Sequence, residues 1–181
     1  MAKLIFGMMQ SLDGYIQLAD PSGAPGVPPP GPLLGSFFTD SIRGLAGLLY
    51  GRRMYEIMQY WDEDQPAWDD GDRAFAQLFR ATPKWVASRT LKAVGPNASL
   101  IQGDLLGFAA RLKAEVEGEI DVAGPELAAA LTPLIDEYRL YYRPLVLGGG
   151  KPFFAGARPP LQLVSADRIG EDAVRLICTP A

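Results

Sequence analysis

Three consecutive glycines and a lysine follow an apolar run in RPLVLGGGKPFF, residues 143–154. Glycines followed by lysine can form a phosphate-binding loop, in which a serine or threonine after the lysine binds Mg²⁺ at the start of a helix. Here Lys151 is followed by Pro152, so the hydroxyl that binds Mg²⁺ is missing. We therefore interpret residues 148–150 as the turn that ends a strand, with the two phenylalanines anchoring the next loop in the core. Lys151 remains a candidate contact for an anionic substrate.

Three other junctions place glycine or arginine where an apolar run gives way to a loop or a helical segment. They are Gly51-Arg52-Arg53, Ser88-Arg89-Thr90 and Gly124-Pro125-Glu126-Leu127. In open α/β sheets, ligands bind outside the carboxyl ends of the strands. Helix N-termini there offer N–H groups to phosphates, and arginine donates two hydrogen bonds to the same phosphate. Together the junctions suit the pyrophosphate and 2′-phosphate of a dinucleotide. Each feature alone is weak evidence, because a glycine before a helix is usually only a tight turn and a surface arginine is usually only solvated.

The chain has no histidine and one cysteine, Cys178. The lack of histidine excludes Ser-His and Cys-His catalytic pairs, zinc sites built on histidine and histidine acid-base catalysis. Any chemistry must therefore use carboxylates, tyrosine, lysine or a cofactor. Cys178 lies in the apolar run VRLIC and is predicted to be an inert thiol of the core, and a single cysteine fits a reducing cytosol.

Two carboxylates are candidates for proton transfer. Asp13 lies in SLDGYI with Tyr15 beside it, and Asp40 lies near the start of a predicted helix. Each has an alternative role: Asp13 can hold a loop turn, and Asp40 can stabilise the first turn of its helix. We favour the structural role for Asp40 and leave both roles open for Asp13. Tyr15 and Lys151 are candidate substrate contacts, and Arg143 is a further cation for a phosphorylated substrate.

The 181 residues carry a formal net charge of −4, and the sequence pI is about 4.9. This acidic balance argues against a nucleic-acid-binding surface. No apolar stretch approaches the roughly 20 residues that span a bilayer, and the N-terminal segment lacks the features of a signal peptide. We therefore expect a cytoplasmic protein with one domain over residues 1–181 and no membrane partner.

Apolar and helical segments alternate, which favours an α/β domain. Strands are predicted at 3–9, 48–50, 84–88, 99–102, 119–123 and 137–147, and a C-terminal antiparallel hairpin at Gly170. Five helices are predicted. The first covers residues 39–46 with Thr39 as its N-cap, and the second begins at residue 51 with Met54, Ile57 and Met58 on its apolar face. The third runs from Asp69 or Asp70 to residue 80, the fourth follows Asp104, and the fifth begins at Pro125.

Prolines shape two further predictions. Residues 20–35 are too rich in proline and glycine for a helix, and they form either a solvated surface loop or a lid over a ligand. Pro144 implies a bulge or an unpaired edge in the strand 137–147. That aromatic strand either packs in the interior or forms an exposed edge that pairs with a partner.

Five motifs, in this order along the chain, resemble the dihydrofolate reductase-like family. They are SLDGYI, LLYGRRMYE, KWVASRTL, IDVAGPELAAAL and DEYRLYYRPLVLGGGKPFF. Within this family, the chain is most similar to the branch that contains the reductase domain of the bacterial riboflavin-biosynthesis deaminase-reductase. The resemblance covers nearly the whole chain. It implies a three-layer α/β sandwich with a mostly parallel central sheet and a C-terminal antiparallel hairpin, NADPH as hydride donor, and a homodimer.

The resemblance also implies roles for individual residues. It places Gly51, Arg52 and Arg53 beside the cofactor phosphates, and it places Ser88, Arg89 and Thr90 beside the adenosine 2′-phosphate. Beside the pyrophosphate and nicotinamide it places Gly124, Pro125, Glu126 and Leu127. Asp13 and Gly14 are placed in a loop that closes over the nicotinamide.

This chain departs from the family pattern at two of these places. Met54 stands where many relatives have threonine, and Gly124-Pro125 stands where relatives often have two glycines. Dihydrofolate reductases have a cis peptide bond between those glycines. Because an X-Pro bond adopts the cis form at small cost, we hypothesise that Pro125 preserves that geometry.

These features predict an NADPH-dependent reductase of a small cytosolic substrate, with a riboflavin precursor of the 5-amino-6-(5-phosphoribosylamino)uracil type as candidate. The alternative is a non-catalytic nucleotide-binding or assembly module that retains the fold. Arg52, Ser88 and Arg89 favour cofactor binding, whereas the unsettled proton donor keeps the alternative open.

Overall fold

The computed structural model describes residues 1–17, 26–156 and 158–181. The strands are β1 (Lys3–Gln10), β2 (Tyr15–Gln17), β3 (Leu45–Gly51), β4 (Lys84–Ala87), β5 (Ala98–Ile101), β6 (Glu119–Ala123), β7 (Glu137–Tyr142), β8 (Lys151–Pro152), β9 (Leu161–Ile169) and β10 (Ala173–Pro180). The α-helices are α1 (Pro32–Arg43), α2 (Arg52–Met58), α3 (Asp70–Ala81), α4 (Leu105–Glu115) and α5 (Pro125–Leu131).

Eight of these strands form one sheet in the order β5-β4-β3-β6-β1-β7-β10-β9. The pairs from β5 through β7 are all parallel, whereas β10 is antiparallel to both β7 and β9. Strands β2 and β8 form a separate antiparallel pair. The predicted mixed sheet, mostly parallel and ending in an antiparallel hairpin, is confirmed.

Helices cover both faces of this sheet. Helices α4 and α5 pack on one face through Ala109, Leu112 and Leu131, and α1 and α3 pack on the other through Ile42 and Phe79. The central strands are buried between these layers, as parallel strands require. Within the described residues, no helix is long and apolar enough to cross a membrane.

Short-range signals located several elements correctly. Asp69 caps α3 by accepting from Asp72 N–H at 2.8 Å, and Asp104 caps α4 by accepting from Gly107 N–H at 2.9 Å. Strand β6 has the predicted bounds. The predicted apolar face of α2 is wrong at one position, because Ile57 is 64% exposed.

Strand β7 differs from its prediction in length and environment. It ends at Tyr142, so Pro144 lies outside it and the predicted bulge within the strand is wrong. It is paired with β1 on one side and β10 on the other, which makes it an interior strand rather than an exposed edge. Proline cannot donate to a sheet, and the strand stops two residues before it.

Helix α1 begins seven residues earlier than predicted, inside the proline-rich segment. Pro32 takes the first turn, where its missing N–H is tolerated. The next two N–H groups donate to the Glu171 carboxylate in the β9–β10 turn, at 2.6 Å from Leu33 and 3.0 Å from Leu34. Thr39 is therefore inside the helix rather than its N-cap, and its hydroxyl donates to the Gly35 carbonyl at 3.0 Å.

The contact between α1 and the hairpin turn gives the first prediction. Gly170 has φ +56°, and a Cβ there would lie 2.6 Å from Leu34 Cβ. We expect Gly170→Ala to lower the free energy of unfolding by about 1–3 kcal/mol from backbone strain, with a further loss from the clash. The matched control is Gly103→Ala, which has φ +88° and no atom within 4 Å of its Cβ. Equal losses in urea denaturation would show that the contact with α1 adds nothing.

Candidate functional site

The carboxyl ends of β4, β3 and β6 are neighbours at one edge of the sheet. The register pairs Ala87 with Gly51 and Tyr50 with Ala123. Each of these strands leads directly into one of the three predicted junctions, which begin at Ser88, Gly51 and Gly124. Parallel pairing thus brings together three segments that are far apart in sequence, at the edge where α/β sheets bind ligands.

Two of these junctions are in contact. Gly51 and Gly124 are the N-caps of α2 and α5. A Cβ on Gly51 would lie 3.7 Å from Leu127 Cβ, and a Cβ on Gly124 would lie 3.9 Å from Met54 Cβ. Because glycine has no side chain to cap a helix, the first N–H groups of both helices are available to an anion, except at Pro125.

The peptide bond between Gly124 and Pro125 is trans, so the hypothesis of a cis bond is wrong. Gly124 makes the turn with φ 115° and ψ 123°, a conformation open to glycine and strained for other residues. Pro125 then takes the first position of α5, where its fixed φ suits a helix. The glycine backbone therefore provides the sharp change of direction.

Exposed arginines flank these helix starts. Arg52 and Arg53 form the first turn of α2, and Arg89 follows β4. Arg52 Nη1 lies 3.2 Å from Glu56 Oε1, and both side chains are roughly half-exposed, so this ion pair is weak and easily exchanged for a ligand. The charge of Arg53 helps to lower the pKa of Glu126 on α5, which indicates that the starts of α2 and α5 share one electrostatic environment.

The segment after β4 is shaped by Ser88. Its Oγ accepts hydrogen bonds from Thr90 N–H at 3.2 Å and from Leu91 N–H at 3.0 Å. This turn leaves Arg89 and Thr90 exposed at the edge of the sheet. The Ser88 hydroxyl proton is not used by either bond, and Thr90 Oγ1 is 3.5 Å away.

Asp13 joins two loops at the same edge. Its carboxylate accepts from Leu147 N–H at 3.1 Å and Gly148 N–H at 2.7 Å. The hydrogen bond from Ser11, together with these two, holds the pKa of Asp13 below its usual value. An ionised Asp13 accepts hydrogen bonds and has no proton to donate. The geometry therefore gives Asp13 a role in fastening the loop, the structural alternative that the sequence left open.

Gly14 and Tyr15 continue this loop into β2. Gly14 has φ +85°, and its carbonyl accepts from Phe153 N–H at 2.9 Å. Tyr15 pairs with Pro152 across the β2–β8 ladder and is half-buried. The glycine-rich segment, residues 148–150, lies six residues beyond the end of β7 and leads into β8, so its interpretation as the turn that ends a strand is wrong. Phe153 is anchored in the core as predicted.

The two predicted substrate cations are both engaged by acidic residues. The Lys151 ammonium donates to Glu126 in the first turn of α5. Burial opposes ionisation of Glu126, but the hydrogen bond from Lys151 outweighs it and keeps the pKa of Glu126 below its usual value. Arg143 is 5% exposed and pairs with Asp172 at 2.9 Å.

Arg143 also fastens the chain before α1. Its Nη1 donates to the carbonyls of Pro28 and Pro29 at 3.2 and 3.4 Å. This holds the described end of the proline-rich segment against the carboxyl edge of the sheet. Residues 20–25 lie outside the described residues, so the choice between surface loop and lid is not tested.

Asp40 lies on the outer side of α1. Its carboxylate is 3.2 Å from Arg43 Nη1, and its side chain is 72% exposed. The helix begins at Pro32, so Asp40 is in its middle and cannot stabilise the first turn. Among the described residues, Asp40 makes no hydrogen bond or ion pair with any of the three junctions.

A third carboxyl, Asp121 on β6, is not among the candidates drawn from the sequence. It lies between Ile5 of β1 and Leu48 of β3 and is partly exposed. Burial raises the pKa of Asp121 to about 8, against the attraction of Arg139 and with added repulsion from Glu119. Asp121 therefore carries a proton at pH 7. Its signal was an acidic residue within EIDVA, a strand otherwise predicted to be buried in the sheet.

This carboxyl gives a pH-dependent stability. Folded Asp121 has a pKa of about 8, and an unfolded aspartate has one of about 3.9. The folded chain thus keeps a proton that the unfolded chain releases, so the free energy of unfolding should fall as pH rises from about 4 to about 8. We expect Asp121→Asn to abolish this fall in the free energy of unfolding, and the exposed control Asp70→Asn to retain it. Urea denaturation at a series of pH values from acidic to alkaline measures both. The same slope in wild type and Asp121→Asn would contradict this.

A model of the RibD C-terminal domain family matches residues 2–175. The chain is 30% identical over 133 residues to the uncharacterized protein YyaP of Bacillus subtilis (strain 168), and the alignment covers 70% of this chain and 68% of that protein.

Solved structures share the fold. A protein from Shewanella sp. PV-4, named for riboflavin biosynthesis, matches with a TM-score of 0.74 and 24% identity over 99% of both chains. The diaminohydroxyphosphoribosylaminopyrimidine deaminase/5-amino-6-(5-phosphoribosylamino)uracil reductase of Thermotoga maritima matches with a TM-score of 0.68 and 13% identity, over 99% of this chain and 56% of that one. The chain thus spans little more than half of that two-activity protein. The range matched by the family model includes all three junctions, and this chain therefore belongs to the RibD C-terminal domain family.

Proposed function

We propose that this chain is a cytoplasmic, NADPH-dependent reductase of a small substrate. The observation that carries the proposal is the alignment of three junctions at one edge of the sheet, with Gly51 and Gly124 in contact with the neighbouring helix start. Membership of the RibD C-terminal domain family supports it. The exposed arginines beside these turns supply the charge that a phosphorylated cofactor needs.

The residues present fit such a cofactor. Arg52, Arg53 and the first N–H groups of α2 would hold the pyrophosphate, and Ser88, Arg89 and Thr90 would hold the 2′-phosphate that distinguishes NADPH from NADH. Gly124 would lie against the nicotinamide end, because its lack of a side chain allows a close approach of the backbone. The bound cofactor would supply a hydride to the substrate.

Two residues limit this site relative to the family pattern. Pro125 removes one N–H from the start of α5, and Met54 packs against Gly124 instead of offering a hydroxyl. Both changes reduce the hydrogen-bond donors near the pyrophosphate. The arginines of α2 therefore carry a larger share of phosphate binding in this chain.

We propose a riboflavin precursor of the 5-amino-6-(5-phosphoribosylamino)uracil type as the first substrate to test. The name of the Thermotoga maritima protein supports this choice. Lys151 and Arg143 are the candidate cations for the substrate phosphate, and both already form ion pairs with carboxylates. A substrate phosphate would have to displace Glu126 from Lys151, since Arg143 is buried.

The second candidate is a nucleotide-binding module without catalysis. The same two ion pairs favour it, since they leave the substrate side of the edge without an unmatched cation at either predicted position. Turnover separates the two functions. Such a module would bind NADPH and oxidise none of it in the presence of the riboflavin precursor.

Cofactor binding gives the next prediction. NADPH at 100 times its dissociation constant should stabilise the fold by about 2.7 kcal/mol, and NADH at the same concentration should stabilise it less. We expect Arg89→Ala to reduce the difference between the two cofactors, because it removes a charged donor to the 2′-phosphate. Thermal unfolding measures both effects. The control Arg111→Ala, an exposed arginine of α4, should leave them unchanged.

Two results would count against this assignment. Identical thermal shifts with NADPH and NADH in the wild type would contradict recognition of the 2′-phosphate. The absence of any shift would contradict the reductase function as a whole.

We also propose a homodimer, formed through β9. This strand is at the edge of the sheet, and its Leu163 and Val164 are 59% and 60% exposed. Unpaired edges with apolar side chains are ready to pair with another strand. Val164→Lys should shift a dimer toward monomer in light scattering, whereas Gln162→Lys, which adds the same charge at an already polar position, should change the mass less.

A further inference from the structure

Residues 88–97 join β4 to β5 and carry two of the proposed cofactor contacts, Arg89 and Thr90. The same loop contains the exposed Lys92 and has no acidic residue, so its charge is entirely positive and suits a phosphate. The loop is longer than the usual connection of about 4–6 residues. The positions of its cations therefore depend on the contacts that fasten it to the rest of the molecule.

Both ends of this loop are fixed by side-chain hydrogen bonds. At its start, Ser88 accepts from the N–H groups of Thr90 and Leu91. At its end, the side-chain amide of Asn97 donates to two carbonyls in the last turn of α3, at 2.9 and 3.1 Å. Neither set of bonds reaches the middle of the loop, residues 92–96.

Tyr55 of α2 fastens the middle of the loop. Its hydroxyl oxygen accepts a hydrogen bond from Gly95 N–H at 2.7 Å, and Tyr55 is only 3% exposed. Leu91 and Val94 pack against the apolar cluster that contains Tyr55. The phenol ring is therefore held by packing, and its hydroxyl defines how far the loop lies from α2.

The loop approaches the phenol closely because residue 95 is glycine. A Cβ there would lie 3.2 Å from Tyr55 Oη and 3.7 Å from Asp62 Oδ2. Gly95 does not have the positive φ that other glycines of the chain have, such as Gly103. Its lack of a side chain, and not an unusual backbone conformation, thus allows the hydrogen bond.

This hydrogen bond connects two parts of the proposed cofactor site. Tyr55 belongs to the same helix as Arg52 and Arg53, which would hold the pyrophosphate. Gly95 belongs to the loop that would hold the 2′-phosphate. Parallel pairing of β3 with β4 sets where the two segments leave the sheet, and the bond from Gly95 to Tyr55 holds them together beyond its edge.

Resting on the reductase function proposed above, we propose that Tyr55 is a positioning residue that sets the preference for NADPH over NADH. Its hydroxyl holds the loop in the conformation that presents Arg89 and Thr90 to a 2′-phosphate. A loop that is already ordered loses less conformational freedom when it binds a ligand. NADH has no 2′-phosphate, so the order of this loop affects NADPH more. Because Tyr55 is buried, it acts through the loop.

Two adenosine probes test this role without hydride transfer. Adenosine 2′,5′-bisphosphate carries the 2′-phosphate, and adenosine 5′-monophosphate lacks it. Wild type should bind the bisphosphate more tightly in isothermal titration calorimetry. Tyr55→Phe keeps the ring and loses the acceptor. We expect this variant to bind the bisphosphate about 2–10-fold more weakly, the effect of one hydrogen bond, and to bind the monophosphate with unchanged affinity.

Tyr60→Phe is the matched control. The Tyr60 hydroxyl also accepts one N–H, that of Trp68 Nε1 at 2.8 Å, but this bond lies outside the loop. The control should therefore leave both affinities unchanged.

A second variant tests the contact from the side of the loop. Gly95→Ala places a methyl group against the Tyr55 hydroxyl and should weaken the bisphosphate in the same way. Its control is Gly35→Ala in α1, where the space around an added Cβ is open, and this change should leave the ratio of the two affinities as in wild type.

Hydrogen–deuterium exchange measures the loop directly in protein without ligand. The amides of residues 88–97 should exchange faster in Tyr55→Phe than in wild type, whereas those of α4 should exchange at the same rate in both. Unchanged exchange in the loop would overturn the proposal.

The binding data can also overturn it. An unchanged ratio of the two affinities in Tyr55→Phe, equal weakening of both probes, or a wild type that binds both probes equally would each do so. Failure of the reductase function is distinct, because it appears as the absence of NADPH oxidation in the wild type and leaves the comparison of the two probes intact.

Discussion

Strand β3 lies between β4 and β6 and is parallel to both, and the candidate site depends on this pairing. Its register sets Gly51 beside Ala87 and Tyr50 beside Ala123. The residues that follow each strand must therefore leave the sheet at the same level. A shift of one residue would turn Tyr50 to the opposite face and separate Gly51 from Leu127. The hydrophobic burial that fixes the register thus also fixes the positions of the groups that we propose bind the cofactor phosphates.

Charges at this edge divide it into two parts. On the β4–β3 side, the arginines are exposed and weakly paired, as with Arg52 and Glu56 at 3.2 Å. On the β1–β7 side, Arg143 pairs with Asp172 in the hairpin turn, and Lys151 pairs with Glu126 of α5. Exposed, loosely paired cations suit an anionic ligand, whereas buried pairs are costly to break. The first part is suited to a cofactor and the second to holding loops in place.

The sequence alone was enough to locate helix caps and strand bounds that are set by residues close together in the chain. The capping aspartates of α3 and α4 and the bounds of β6 depend on residues within a few positions of one another. The start of α1 could not be found this way, because its cap is Glu171, about 138 residues away. The bond before Pro125 is trans, the commoner form of an X-Pro bond, and the sequence alone does not decide between the two forms. The three junctions were identified from their residues, but their contact depends on strand order.

Asp13 and Asp121 show how the fold assigns opposite states to the same side chain. Asp13 is exposed and accepts N–H groups from Leu147 and Gly148, which lowers its pKa. Asp121 has no such donors and lies among buried groups, which raises its pKa to about 8. Two carboxyls whose environments separate their pKa values can serve one as a fixed anion and the other as an acid. The sequence left both roles open for Asp13, and the structure shows its carboxylate holding two loops together as an acceptor of N–H groups.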